Sequence, residues 1–281
     1  MNQELHNWRE GKIGASDAPI IMQVAPSHWK TNTPYKLWEE KVFGVKRATT
    51  SAMNRGNSLE PKAIEWFEKK IGLKLNSQQK LTHREIPYMI ATIDCIDESG
   101  VIMAEIKCPN KEDHSIALNK KVPEHYMPQL QHQMEVAGLN SMYYVSFDGI
   151  DGAIVEVEKD NEYIDKILKS ERSFYECMIN ISPPPLTERD YEEKGEDWVK
   201  LAQKRWKISE EIKALEKESK ALTDLLISLS EDKNCRGGGF QFSKITVKGR
   251  VDYEAIPELK NIDVEIYRKN SSIQWRLNAI K

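Results

Sequence analysis

The chain has 281 residues, 40% of them apolar and 30% charged, with 41 Lys and Arg against 44 Asp and Glu. That length supports a sizeable core, as one large domain or one domain with an appendage. The net charge of −3 excludes a uniformly basic nucleic-acid binder, so contact with DNA would need a local basic surface or a metal-filled acidic cleft.

In chain order, the first motif is WREGKIGASD, Trp8 to Asp17. Its two glycines lead into Ser16, which the pattern makes the N-cap of a short helix with Pro19 in its first turn. Such a terminus is an anion site, and Arg9 could add a bidentate phosphate contact; these residues alone favour a plain loop and helix cap. Thr33 to Gly44 predicts a packing helix with Leu37, Trp38 and Val42 inward. A second helix runs from Met53 to a stop at Gly72. It places Glu60 on a face with Ile64 and Phe67, where a carboxylate calls for a cation, a metal or a proton. A solvated helix glutamate is the plainer alternative.

The stretch from Leu73 to Pro87 predicts a strand and loop leading into a hairpin over Tyr88 to Pro109, with its turn at Asp97–Gly100. Pairing Ile96 with Val101 sets Cys95, Ile93 and Ala91 against Ile102, Ala104 and Ile106 as one apolar face. The opposite face carries Asp94, Glu105 and Lys107, with the two carboxylates as diagonal neighbours about 7–8 Å apart. Asp94 and Glu105 can then share a divalent cation, helped by the Ile106 carbonyl, while Lys107 orients a water or stabilises developing charge. Hard oxygen donors favour Mg²⁺. A surface ion-pair ladder is the competing reading of such a set.

After a polar loop with a short helix, Pro123 to Leu139 predicts a helix. Leu130, Met134 and Ala137 form its core stripe, Tyr126, Gln129 and Gln133 border that stripe, and Gln131 and Glu135 face outward. Bordering amides suit either the positioning of a water or phosphate, or the satisfaction of buried backbone. Strands over 142–148 and 153–157 follow, then a helix over 161–179. Together these give an α/β (α+β) fold with a central mixed sheet flanked by helices. Ser182-Pro-Pro-Pro-Leu186 marks a boundary. Beyond it, Leu201, Ile208, Leu215, Leu222 and Leu229 recur every seven residues, a coiled-coil-like seam in which Arg205 and Ser219 interrupt the companion positions. The tail from 240 alternates as a small strand-rich unit with 8 Lys and Arg against 5 Asp and Glu. The divisions are therefore 1–181 for the core, 182–196 as linker, 197–236 as long helix and 237–281 as the terminal unit.

The order Arg9…Ser16-Asp17, Arg55-Gly56…Glu60, Asp94, Glu105-Ile106-Lys107-Cys108-Pro109 and Tyr126-x-x-Gln129-x-Gln131 resembles the lambda-type exonuclease (YqaJ-like viral recombinase) family. That family lies within the PD-(D/E)xK nuclease superfamily, and the resemblance covers about residues 5–180. It implies a restriction-endonuclease-like core in which Asp94, Glu105 and the Ile106 carbonyl hold Mg²⁺, with Mn²⁺ as substitute and two ions per site. Lys107 would be catalytic, Glu60 would reach the ions through water, and Gln129 would complete the site. Arg9 and Ser16 match residues that hold a 5′-phosphate, and Arg55, Tyr126 and Gln131 match DNA-contacting positions. The implied activity is 5′→3′ digestion of one strand of linear duplex DNA, leaving 3′ overhangs for recombination by strand annealing. The implied partners are a homotrimeric ring of the chain and a single-strand annealing protein.

Ile93-Asp94 stands where the family has Pro-Asp, a departure that removes no ligand. The motifs do not reach beyond Pro185. An endonuclease of the same superfamily and a non-catalytic DNA-binding or assembly protein working through its long helix remain as alternatives. No apolar run approaches the ~20 residues of a membrane span, and the first residues lack a signal-peptide core. With four cysteines in no metal or disulfide pattern, the expectation is a cytoplasmic protein of a bacterial host, phage- or prophage-encoded by resemblance.

Overall fold

Residues 8–26, 32–45 and 51–247 are described in the computed structural model, together with 249, 256, 259 and 262. The chain divides into two units, Met1–Glu192 and Glu193–Lys281.

The first unit is built on a mixed sheet of six strands: β1 (Ile13–Gly14), β2 (Asn76–Thr82), β3 (Met89–Ile96), β4 (Met103–Lys107), β5 (Ser141–Phe147) and β6 (Gly152–Glu158). Strand β3 pairs parallel with β1 and antiparallel with β2 and β4; β5 lies parallel to β4 and antiparallel to β6. The helices are α1 (Ala18–Ile21), α2 (Pro34–Phe43), α3 (Ser51–Ile71), α4 (Lys111–Leu118), α5 (Met127–Ala137) and α6 (Asn161–Ile179). Helix α2 starts where Thr33 accepts the Lys36 amide at 3.1 Å and stops at Gly44 in the left-handed region, as its cap residues dictate.

Strands β3, β4 and β5 are packed on both faces, while β2 is largely exposed. Leu130 and Met134 of α5 pack with Met89, Ala91, Ile93, Met103, Met142 and Tyr144. Ala63 and Phe67 of α3 pack instead with Cys95, Ala104, Ile106, Val145 and Phe147. A third cluster joins α1, α2 and α6 through Ile20, Leu37, Trp38, Phe174 and Met178. The expected single apolar face of the hairpin is therefore divided: Ala91 and Ile93 join the α5 side, and Cys95, Ala104 and Ile106 join the α3 side.

The hairpin register also differs by two residues from the expectation. Cys95 pairs with Ala104 and Ile96 with Met103, which puts Val101 and Ile102 in the loop. The cause is Asp97, whose carboxylate accepts the amides of Ser99 at 3.2 Å, Val101 at 2.8 Å and Ile102 at 2.7 Å. Those amides no longer need a ladder partner, and Gly100 supplies the left-handed step. A shift of two leaves the alternation along β4 in place, so Met103, Glu105 and Lys107 still alternate with Ala104 and Ile106.

Ser16 is not a helix cap. It sits exposed inside a 3-10 turn, Ala15–Asp17, that starts from Gly14, whose amide donates to Asp17 Oδ2 at 2.8 Å. Asp17 also pairs with Lys41 Nζ at 2.6 Å and is the residue that precedes α1.

In the second unit, α7 (Glu196–Leu229) carries the heptad seam. It ends earlier than the predicted 236, because Glu231 and Asp232 turn the backbone into the left-handed region. Cys235–Gly237 is a strand, β7, paired with β8 (Phe240–Phe242), rather than the end of the helix. Most of the predicted strand-rich tail lies outside the described residues.

Candidate active site

Strand β3 is where the site opens. Strand β1 pairs with it only at Met89 and Ile90, and β4 only at Cys95 and Ile96. Between them, Ala91–Ile93 have β2 as their ladder partner among the described residues, and Asp94 has none. Into this gap Asp94 turns its carboxylate, and Oδ2 accepts the Ile106 amide of β4 at 2.8 Å. A side chain thus replaces a rung of the ladder where the two strands part.

Glu105 is 2% exposed, facing α5, and every donor nearby converges on it. Oε1 accepts from the Lys107 ammonium and from Gln129 Nε2, the latter at 2.5 Å. Oε2 accepts from Gln133 Nε2 at 2.6 Å. Gln129 and Gln133 stand one helical turn apart on α5, which is why both reach the same carboxylate. Lys107 also lies 5.6 Å from the centre of the Tyr126 ring, a cation–π distance. Burial pushes the Tyr126 phenol up to about 12.

Electrostatics mark Asp94 and Glu105 as a pair short of positive charge. Burial and then the Glu105 carboxylate raise the Asp94 carboxyl well above its usual range, against the pull of Lys107 and the Ile106 amide. Burial works to lower Lys107, but Glu105 and Asp94 outweigh it and hold the ammonium above its ordinary value. Two adjoining carboxylates with oxygen donors only, opposed by burial and by each other, suit a hard divalent cation. Asp94 and Glu105 would hold it, with the Ile106 carbonyl as the third donor. Glu60 is half-buried on α3, and its charge bears on Asp94. Among the described residues, however, no three His, Cys, Asp or Glu side chains group closely enough to hold a metal.

Of the residues matched to DNA positions, Arg9 reaches the site: its NH2 group donates to Thr92 Oγ1 at 2.9 Å, beside the Ala91–Asp94 gap. Ser16 follows Ala15, which packs against Met89 and Ala91. Arg55 is committed to backbone, donating to the carbonyls of Cys108 at 3.3 Å, Pro109 at 2.9 Å and Asp148 at 3.1 Å. It ties the start of α3 to the end of β4. Gln131 neither faces outward nor reaches Glu105. It is buried, donating to the Glu158 carbonyl at 2.9 Å and accepting the Asp160 amide at 2.8 Å. Positions two apart on a helix point about 200° away from each other, so 129 and 131 cannot serve one cleft. Gln133 is the further residue that reaches Glu105, and its position beside Gln129 on the helix edge was the signal for it.

The YqaJ-like viral recombinase domain matches residues 4–140, the span that supplies Arg9, Asp94, Glu105, Lys107 and Gln129. Residues 4–140 are thus similar to that domain. The chain is 28% identical over 214 residues to the uncharacterized protein YqaJ of Bacillus subtilis (strain 168), covering 74% of this chain and 64% of that protein's length. Its fold is similar to the alkaline exonuclease LHK-Exo of Laribacter hongkongensis, with a TM-score of 0.53 at 25% identity over 63% of this chain and 94% of that one. The same enzyme in complex with dAMP matches at a TM-score of 0.53 over 62% and 91%. The mixed sheet flanked by helices is thus similar to that of these exonuclease structures, and no helix among the described residues is long and apolar enough to cross a membrane.

Proposed function

We propose that this chain is a Mg²⁺-dependent exodeoxyribonuclease that digests one strand of linear duplex DNA in the 5′→3′ direction and leaves a 3′ overhang for strand annealing. The observation that carries the reading is the convergence of Asp94, Glu105 and Lys107 in the gap along β3, with Arg9 at its edge. A bound divalent cation would supply a metal-activated water and offset charge on the phosphoryl group.

The chain's own groups do the rest. Gln129 and Gln133 hold the Glu105 carboxylate in one plane, and the Ile106 amide holds that of Asp94. Lys107 is a donor under these charges, suited to orient the attacking water and to stabilise the developing negative charge. Arg9 offers a guanidinium fork to a terminal 5′-phosphate, and the Lys12 and Lys80 ammoniums, both 5.8 Å from the Trp8 ring, add local positive charge beside it. Such a patch supplies what the net-acidic chain lacks. A ring of three chains would let an acidic protein stay on its substrate topologically, and a single-strand annealing protein would take up the product.

Lys107→Ala tests the assignment. Release of a 5′ label from linear duplex in Mg²⁺ should fall by about 100-fold or more, while gel-shift affinity for the same duplex is kept. Unchanged turnover would remove Lys107 from the chemistry, and early release of a 3′ label by the wild type would reverse the proposed polarity.

A further inference from the structure

Gln133 has a reach that holding Glu105 does not exhaust. It is fully buried, and its amide nitrogen donates both to Glu105 Oε2 at 2.6 Å and to the Thr92 carbonyl at 3.2 Å. Thr92 lies in the stretch of β3 that neither β1 nor β4 pairs. Its hydroxyl accepts from Arg9 at 2.9 Å. A continuous line therefore runs Arg9, Thr92, Gln133, Glu105. Two atoms along it, Arg9 Nε and Gln133 Oε1, are buried without a hydrogen-bond partner among the described residues. One is a donor and the other an acceptor, and buried polar atoms of this kind are rare because leaving them unmet is costly. An anionic oxygen at Arg9 would satisfy the first, and a water or hydroxyl between the two groups the second.

We propose that Gln133 is a positioning residue that couples binding of a 5′-phosphate at Arg9 to the placement of the Glu105 carboxylate. This rests on the exonuclease reading above. Among the described residues, Glu105 Oε1 has two donors, Lys107 and Gln129, whereas Oε2 has Gln133 alone. The Gln133 NH2 group gives one N–H to Thr92 and the other to Glu105, so a movement of Thr92 towards or away from α5 turns the planar amide and the N–H aimed at Oε2. Seating a phosphate on Arg9 changes the bond that Arg9 makes to Thr92, and the planar amide passes the change to Oε2. The consequence is a specificity effect in turnover: the site is set for reaction when the end carries a phosphate.

The test uses Gln133→Met, which keeps length without a donor, Thr92→Val, which removes the hydroxyl and leaves the carbonyl, and the double variant. Turnover and KM are measured separately on 5′-phosphorylated and 5′-hydroxyl duplexes, and Mn²⁺ affinity is measured by calorimetry without DNA. The expected wild type favours the phosphorylated end. Gln133→Met should bring the turnover ratio of the two ends towards parity at nearly unchanged KM, and weaken Mn²⁺ binding by about tenfold or more, as loss of a group that orients a ligand does. Thr92→Val should lower the same ratio, and the double variant should add little to either single one. If Gln133→Met does not fold, Thr92→Val decides: an undiminished ratio overturns the coupling. Wild-type end preference together with wild-type Mn²⁺ affinity in Gln133→Met also overturns it, and leaves the exonuclease reading standing. A wild type that digests both ends equally overturns the coupling together with the 5′-phosphate reading.

Discussion

His132 and Glu171 meet in the core between α5 and α6, 0% and 1% exposed, with Nδ1 2.7 Å from Glu171 Oε1 and Nε2 2.9 Å from the Ile90 carbonyl. Both ring nitrogens face acceptors, and only the imidazolium has two N–H groups to offer. Burial opposes that charge, but Glu171, the Ile90 carbonyl and Asp17 outweigh it and raise His132 above its usual value. A raised native pKa stabilises fully below the unfolded value of about 6.5 and is lost as pH climbs through the native one. The urea midpoint should therefore fall as pH is raised from about 6.5. His132→Gln should flatten that slope and cost about 3–5 kcal/mol, because Glu171 is left buried and unpaired; a flat wild-type profile would contradict the charged pair. Single residues were unequally legible. Asp94, Glu105 and Lys107 follow from strand alternation, which survives a register shift of two. His132 and Glu171 were silent, because their partnership spans 39 positions and joins two helices that no local pattern relates. Gln131, outward on the helical wheel, is buried because the Glu158 carbonyl and the Asp160 amide, distant in sequence, meet its side chain.

At the scale of elements, helix and strand positions were legible from caps and periodicity: α6 runs over the expected 161–179, and α2 begins and ends at its Thr33 and Gly44 caps. The hairpin was legible in outline only, since the three amides taken by Asp97 are a side-chain effect that pairing rules omit. Splaying of β3 from β4 was likewise invisible, because the Asp94 carboxylate takes the Ile106 amide where pairing rules expect a ladder rung. Packing of α3 against the sheet depends on Gly152 at the start of β6. A Cβ there would lie 2.8 Å from the Ser146 carbonyl oxygen and 2.9 Å from the Trp66 ring. Gly152→Ala should destabilise the fold by about 1–3 kcal/mol through overpacking, read as a lower thermal midpoint. An unchanged midpoint would mean that Trp66 and the β5–β6 edge yield freely.

Across the whole molecule, the sequence reading and the structure agree on a central mixed sheet flanked by helices, similar to exonuclease structures. In the second unit the heptad seam became α7, with Leu201, Leu215, Leu222 and Leu229 exposed along it. The spacing made the helix legible, while its early end follows from two left-handed residues that composition does not mark. The central claim is that the β3 gap cuts DNA from an end with the help of a divalent cation. Its most direct test incubates the full chain with end-labelled linear duplex and with covalently closed circles, in Mg²⁺ and in EDTA. Digestion of the linear duplex in Mg²⁺ alone, with circles left intact, is the predicted result. Rapid nicking of closed circles, or digestion that persists in EDTA, would contradict it.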